Sequence, residues 1–155
     1  MKPALLLACL CLTAHAQFQT TPAPDLDTAY REARTYQASA PKIFTHSQVR
    51  RVFRILPTGS MRPLLDDSHV AVLEGIRFED IRPGDIVAFL HVRTPRQAVE
   101  WGRGSSYLLH QVIAVRGGRV YTQGLETINN PFPKVESFGP AEFVGVVRRT
   151  WRVVK

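Results

Sequence analysis

Cysteine is scarce in this 155-residue chain: Cys9 and Cys11 are its two cysteines, and both lie within the first sixteen residues. Removal of that segment would leave a mature protein with no thiol. Disulfide bonds, a cysteine nucleophile and thiolate metal sites would then all be excluded. The five histidines are dispersed along the chain. The sequence therefore predicts no bound metal ion and no other cofactor.

Long apolar runs are also rare, and the one from Ala4 to Thr13 follows Lys2 and precedes Ala14-His15-Ala16. A positive start, an apolar centre and small residues at a cleavage position are typical of a secretory signal peptide. We expect cleavage before Gln17, which would make the protein exported, either periplasmic or extracellular. A retained membrane anchor is an alternative, although a spanning helix needs about 20 apolar residues. Lipidation at Cys9 is a further alternative.

Negative charge is outweighed by positive charge, with 20 Lys and Arg residues against 13 Asp and Glu and a formal net charge of +7. Such a balance can attract nucleic acid or anionic lipid. The arginines are scattered through strand-like segments and do not form one run with interleaved aromatic residues. A basic solvated surface explains them better, so we expect no nucleic-acid partner. Membrane association stays open.

The rest of the chain is long enough, and apolar enough at 45% hydrophobic residues, to form one domain with a core. We assign residues 17–48 to a spacer and a short helix, and residues 49–155 to the main domain. Thr20 to Asp25 holds two prolines and is predicted to be a flexible spacer. Asp25 or Asp27 is expected to cap a helix that runs to about Ala38.

Short apolar runs separated by Gly, Pro and Asp predict strands in the main domain. The predicted strands are Val52 to Leu56, His69 to Glu74, Asp85 to Val92, Tyr107 to Arg116, Arg119 to Gln123 and Glu142 to Val154. Gly117-Gly118 between two of them indicates a two-residue hairpin. The expected fold is a mainly β, coiled sheet with one short N-terminal helix.

The segment Pro57-Thr58-Gly59-Ser60-Met61-Arg62-Pro63 follows a predicted strand and ends in proline. Such a turn can hold a serine hydroxyl clear of a sheet while its backbone N–H points into the same cleft, as a serine nucleophile requires. Taken alone, it is explained better by an ordinary hydrogen-bonded turn.

Three further segments follow in order: Gly84-Asp85-Ile86-Val87, then Leu109-His110-Gln111-Val112, then Tyr121-Thr122-Gln123-Gly124. With the serine segment, this ordered set resembles the signal peptidase I family and its LexA-like relatives, over about residues 52 to 149. The resemblance is strongest to the histidine-type signal peptidases of archaea and the endoplasmic reticulum. It implies the coiled β fold of that family.

The resemblance also implies roles for individual residues. Ser60 matches the nucleophile, and the hydroxyl residue Thr58 matches the helper of the Ser60 N–H in holding the oxyanion. Met61 and Pro63 match residues that shape the turn and the substrate pocket. His110 matches the general base, a role that suits histidine because its unperturbed pKa lies near neutrality.

Other readings of the histidines stay open. His110 on an apolar strand would, without the serine segment, be explained as a core residue. His46, His69 and His91 lack the flanking pattern, although His69 lies only nine residues after Ser60.

The chain departs from the family at the acid that orients the base. The aspartate expected after Gly124 is replaced by Leu125, and no aspartate follows Asp85. Glu126 is our first candidate for the orienting acid and Glu136 the second; Asn129 or Asn130 could orient the ring without charge. A Ser–His dyad and an inactive relative are the alternatives.

The resemblance implies a serine endopeptidase that cuts an exported or membrane-proximal polypeptide, bound as an added strand, after small residues. The alternative is a weakly active or inactive peptide-binding module of the same fold. A self-cleaving regulator of the LexA kind is disfavoured, because no DNA-binding helix-turn-helix precedes the domain.

Overall fold

A computed structural model describes residues 18–43, 51–56, 60–92, 105–125 and 134–155. Within these residues the chain forms eight strands, one α-helix and one short 3₁₀ helix at Phe78–Asp80. The strands are β1 (Gln19–Ala23), β2 (Val52–Arg54), β3 (His69–Glu74), β4 (Ile86–Val92), β5 (Ser105–Arg116), β6 (Arg119–Gln123), β7 (Val135–Phe138) and β8 (Phe143–Val153); the helix α1 is Leu26–Ser39. The predicted mainly β architecture with one N-terminal helix is confirmed.

The strands form one curled sheet, shaped as a half-barrel, in the order β2-β3-β8-β4-β5-β6-β7. All pairings along this order are antiparallel, and β1 adds to β8 in parallel. Both faces of β4 are buried. Ile86 and Ala88 join one apolar cluster with Val144 and Val147 of β8, and Val87 and Phe89 join another.

Helix α1 begins where its sequence predicts. The Asp25 side chain caps it by accepting a hydrogen bond from the Thr28 backbone N–H at 2.7 Å. Its small buried residues Ala29 and Ala33 pack in a third apolar cluster with β3 and β8, which includes Trp151. The helix therefore packs on the main sheet.

The prediction of a flexible spacer at Thr20 to Asp25 is wrong over residues 20–23, because they belong to β1. The strand pairs with Arg149 to Val153 of β8, and the Thr20 and Thr150 hydroxyls lie 2.9 Å apart. Proline argued for a spacer, but an edge strand tolerates a proline because one row of its N–H groups needs no partner.

The six strands that the sequence predicts are confirmed, with ends shifted by a few residues, whereas β1 and β7 are not predicted. Gly117 and Gly118 form the expected hairpin turn, and both have positive φ, at 58° and 69°. The hairpin contains a β-bulge: Val112 pairs with Thr122 but Ala114 pairs with Tyr121, so Ile113 is the extra residue.

Candidate active site

Ser60 lies at the start of a turn that follows β2. The turn is fixed by a hydrogen bond from Leu65 N–H to Met61 O, at 3.0 Å, and by the burial of both side chains with Ile55 in an apolar cluster. The buried Met61 side chain therefore anchors the turn to the apolar core, while Pro63 is exposed. Thr58, the predicted oxyanion helper, lies outside the described residues.

His110 lies in the middle of β5, opposite Val87 of β4. Its ring stands 6.1 Å from the ring of Phe89, centroid to centroid, and its side chain is only 13% exposed. The aromatic neighbour and the strand leave the ring little rotational freedom. The imidazole is thus held by the sheet, which is the kind of rigid element that the predicted general base would need.

Gly124 brings the serine turn and the histidine strand together. A Cβ atom at this position would lie 3.4 Å from His110 Nε2, 3.6 Å from Ser60 Cβ and 3.0 Å from Ser60 O. Leu125 N–H donates to Ser60 O at 2.6 Å. Ser60 and the His110 Nε2 atom therefore border the same small space, which stays open because residue 124 has no side chain.

Glu136 of β7 approaches the other nitrogen of the same ring. Its Oε2 lies 3.1 Å from His110 Nδ1, and its side chain is 12% exposed. The two atoms are within ion-pair distance but not aligned as a hydrogen bond. The contact becomes an ion pair when His110 is protonated, and as a hydrogen bond it is weak, because hydrogen-bond strength falls steeply with misalignment. Glu136 Oε1 lies 3.6 Å from Lys134 Nζ.

This contact has a consequence for the charge on Glu136. The neighbouring His110 ring is the largest cause that lowers the Glu136 pKa below its usual value; burial opposes it, and the charges of His91 and Lys134 add to the lowering. The carboxylate is therefore negative wherever the protein is near neutral pH. A negative group beside Nδ1 favours the tautomer that carries its proton there and leaves Nε2 free to accept one.

The acid that sequence reasoning placed second thus contacts His110. Glu126, the first candidate, lies outside the described residues, as do Asn129 and Asn130. The sequence feature that could have indicated an inward-facing Glu136 is its spacing from Phe138, two residues away on the same face of β7. That signal was weak because the strand has only four residues.

The remaining histidines take other places. His69 is buried at the start of β3, and its Nδ1 lies 2.8 Å from Asp66 Oδ1 in the preceding turn. The Ser68 hydroxyl, as the largest cause, lowers the Asp66 pKa to about 2. Asp66 thus belongs to the turn before β3, and His69 is bound to it. His46 lies outside the described residues.

Asp85 ties the site to the centre of the sheet. Its side chain is fully buried and contacts the Arg148 guanidinium of β8 through both oxygens. It also accepts from Arg82 N–H at 2.9 Å, while Val112 N–H donates to the Asp85 carbonyl at 2.8 Å. The Gly84-Asp85 segment therefore binds β5 at Val112, two residues after His110.

The described residues contain no group of three or more His, Cys, Asp or Glu side chains arranged to hold a metal ion. None of their helices is long and apolar enough to cross a membrane.

Comparisons of this chain with protein-family models, with curated proteins and with solved structures found no match.

Proposed function

We propose that the protein is a serine endopeptidase of the signal peptidase type, with Ser60 as nucleophile and His110 as general base. The observation that carries the proposal is the convergence of Ser60 and His110 Nε2 on the space beside Gly124, with Glu136 at the opposite nitrogen. A serine, an imidazole and a carboxylate in this order are the recurrent arrangement of acyl-transfer enzymes, whatever their fold.

In the proposed reaction the Ser60 hydroxyl proton moves to His110 Nε2 while Ser60 Oγ bonds to the substrate carbonyl carbon. The Ser60 N–H, helped by Thr58 as the resemblance implies, stabilises the oxyanion. The peptide C–N bond then breaks as His110 gives its proton to the leaving amine. Water, activated by the same imidazole, releases the acyl group and restores Ser60.

Glu136 replaces the aspartate that the family resemblance led us to expect. Its charge stabilises the imidazolium that forms when His110 takes the proton, and its position keeps the Nδ1–H directed away from Ser60. The proposed substrate is an extended segment of an exported or membrane-proximal polypeptide, as the resemblance and the N-terminal leader pattern suggest.

A peptide-binding module without turnover is the second candidate. It is favoured by the misalignment of His110 Nδ1 and Glu136 Oε2, which leaves both atoms without a hydrogen-bond partner. In a working enzyme this contact would have to tighten when substrate binds, as catalytic hydrogen bonds often do.

The purified protein incubated with a pooled library of extended peptides separates the two candidates. We expect cleavage products in mass spectra from the wild type, and their loss by about 10⁴-fold or more in Ser60→Ala and His110→Ala. Ser39→Ala, at the exposed end of α1, is the matched control and should cleave normally. Peptides that bind to the wild type and emerge intact would support the binding module and contradict the peptidase.

Gly124→Ala is expected to reduce kcat/KM by about 10- to 100-fold, because a misplaced reacting group of even 1 Å can cost that much. The new methyl group would press on Ser60 O at 3.0 Å and separate Ser60 from His110 Nε2. Gly139→Ala is the matched control, since its Cβ would meet its nearest neighbour at an ordinary 3.5 Å. Equal activity in the two variants would contradict the site geometry.

A further inference from the structure

Thr122 carries a buried hydroxyl that the reaction described above does not use. The residue has no exposed surface, and its Oγ1 has no hydrogen-bond partner. Two other buried side-chain atoms among the described residues share this condition, namely His110 Nδ1 and Glu136 Oε2. A buried hydroxyl without a partner destabilises the fold, so valine would be the more stable residue here unless the hydroxyl forms a bond that the protein uses.

The strand register places these three groups on one face of the sheet. Thr122 pairs directly with Val112 on one side and with Glu136 on the other. Paired residues of an antiparallel ladder point to the same face, and so do residues two apart on one strand. His110, two residues before Val112, therefore shares the face with Thr122 and Glu136, and Thr122 lies between their strands.

We propose that Thr122 is a positioning residue whose hydroxyl donates to Glu136 Oε2 and aligns that carboxylate on His110 Nδ1. The inference rests on the proposed function for its catalytic meaning. Directly paired residues on neighbouring strands have Cβ atoms about 4.5–5.5 Å apart, a separation that the two side chains can bridge by small torsional changes. The bond would give partners to two of the three orphaned atoms and hold the third in line.

The charged groups around Glu136 cannot supply this alignment. His110 is the group to be aligned, Lys134 contacts the other carboxylate oxygen, and His91 acts on Glu136 through its charge. Thr122 is the neutral donor paired with Glu136 across the ladder. Because a hydroxyl has one proton to donate, the bond would fix one oxygen and leave Oε1 to Lys134.

The test compares Thr122→Val, which keeps the shape and removes the hydroxyl, with Thr122→Ser, which keeps the hydroxyl. A donor to a carboxylate lowers its pKa, so the Glu136 carboxyl ¹³C NMR titration should move to higher pH in the valine variant and return in the serine variant. The Glu136→Gln variant identifies the signal. We expect kcat to fall about tenfold in Thr122→Val with KM unchanged, and to recover within about threefold in Thr122→Ser.

A merely structural threonine would give a different result. Thr122→Val would then melt at the same or a higher temperature and leave both the Glu136 titration and kcat unchanged, which would overturn the inference. The titration needs no substrate, so the two proposals can fail separately. A shifted titration in a protein that cleaves nothing would keep the Thr122–Glu136 bond and reject the peptidase; active enzyme with an unshifted titration would reject the bond alone.

Discussion

Glu136→Gln is expected to lower kcat/KM by about 10²- to 10⁴-fold while the protein remains folded, because removal of the orienting carboxylate of a Ser–His–acid triad has cost about 10⁴-fold. Glutamine keeps the shape of the side chain but carries no charge to stabilise the imidazolium. Its amide can also donate to His110 Nδ1, which favours the tautomer with the proton on Nε2, where the proposed nucleophile Ser60 would need an acceptor.

The pH dependence of folding gives a second measure of the same contact. The lowered pKa of Glu136 in the folded protein means that its charge stabilises the fold above its usual pKa, and that this contribution is lost as the pH falls through the lowered value. The free energy of unfolding of Glu136→Gln should therefore fall less steeply than that of the wild type as the pH is lowered.

Two further variants show whether a loss of activity in Glu136→Gln is specific to that residue. Glu126→Gln tests the acid that the family pattern favours, and Glu79→Gln, an exposed glutamate, is the matched control for charge. A large loss in Glu126→Gln with little change in Glu136→Gln would contradict the role of Glu136. Full activity in both would indicate a Ser–His dyad.

Asp85→Asn should reduce the free energy of unfolding by about 3 kcal/mol, the lower end of the cost of removing one partner from a buried ion pair. The Asp85 side chain is fully buried, whereas the Arg148 side chain is 28% exposed and can gain some water contact when its partner loses charge. The variant would also weaken the turn through Arg82. Urea denaturation followed by circular dichroism measures the change.

The exposed pair Arg77 and Asp80 provides the matched control. Arg77 Nε and Asp80 Oδ2 lie 3.1 Å apart on the surface. Exposed ion pairs contribute only about 0–1 kcal/mol to the free energy of unfolding. Asp80→Asn should thus leave the midpoint nearly unchanged. A similar small loss in both aspartate variants would contradict a structural role for the Asp85–Arg148 contact.

The sequence predicts most of the fold because strand signals in this chain are local. His69 to Glu74 and Arg119 to Gln123 match β3 and β6 residue for residue, since each apolar run ends at a turn residue. The signals fail where pairing depends on distant residues. β1 is held by β8, about 130 residues away, and its own composition resembles a loop.

The candidate site is predictable in part for the same reason. The segments around Ser60 and His110 single out these two residues, whereas the sequence ranks Glu136 only second, and its contact with His110 depends on the register of β6 and β7. The Arg148 partner of Asp85 and the burial of Thr122 have no local signal that distinguishes them from other arginines and threonines. Their roles depend on which strands lie side by side.

The bulge at Ile113 decides which residues surround the imidazole. If residues paired regularly from Arg116–Arg119 onward, without a bulge, Leu125 would lie opposite His110. The extra residue places Gly124 opposite His110 and turns Thr122 to the same face of the sheet. The hairpin can thus drift in composition but not in length. Substitutions can tune this site one contact at a time, while loss or gain of a single residue in the hairpin would exchange the β6 neighbours of His110 all at once and leave those on β4 in place.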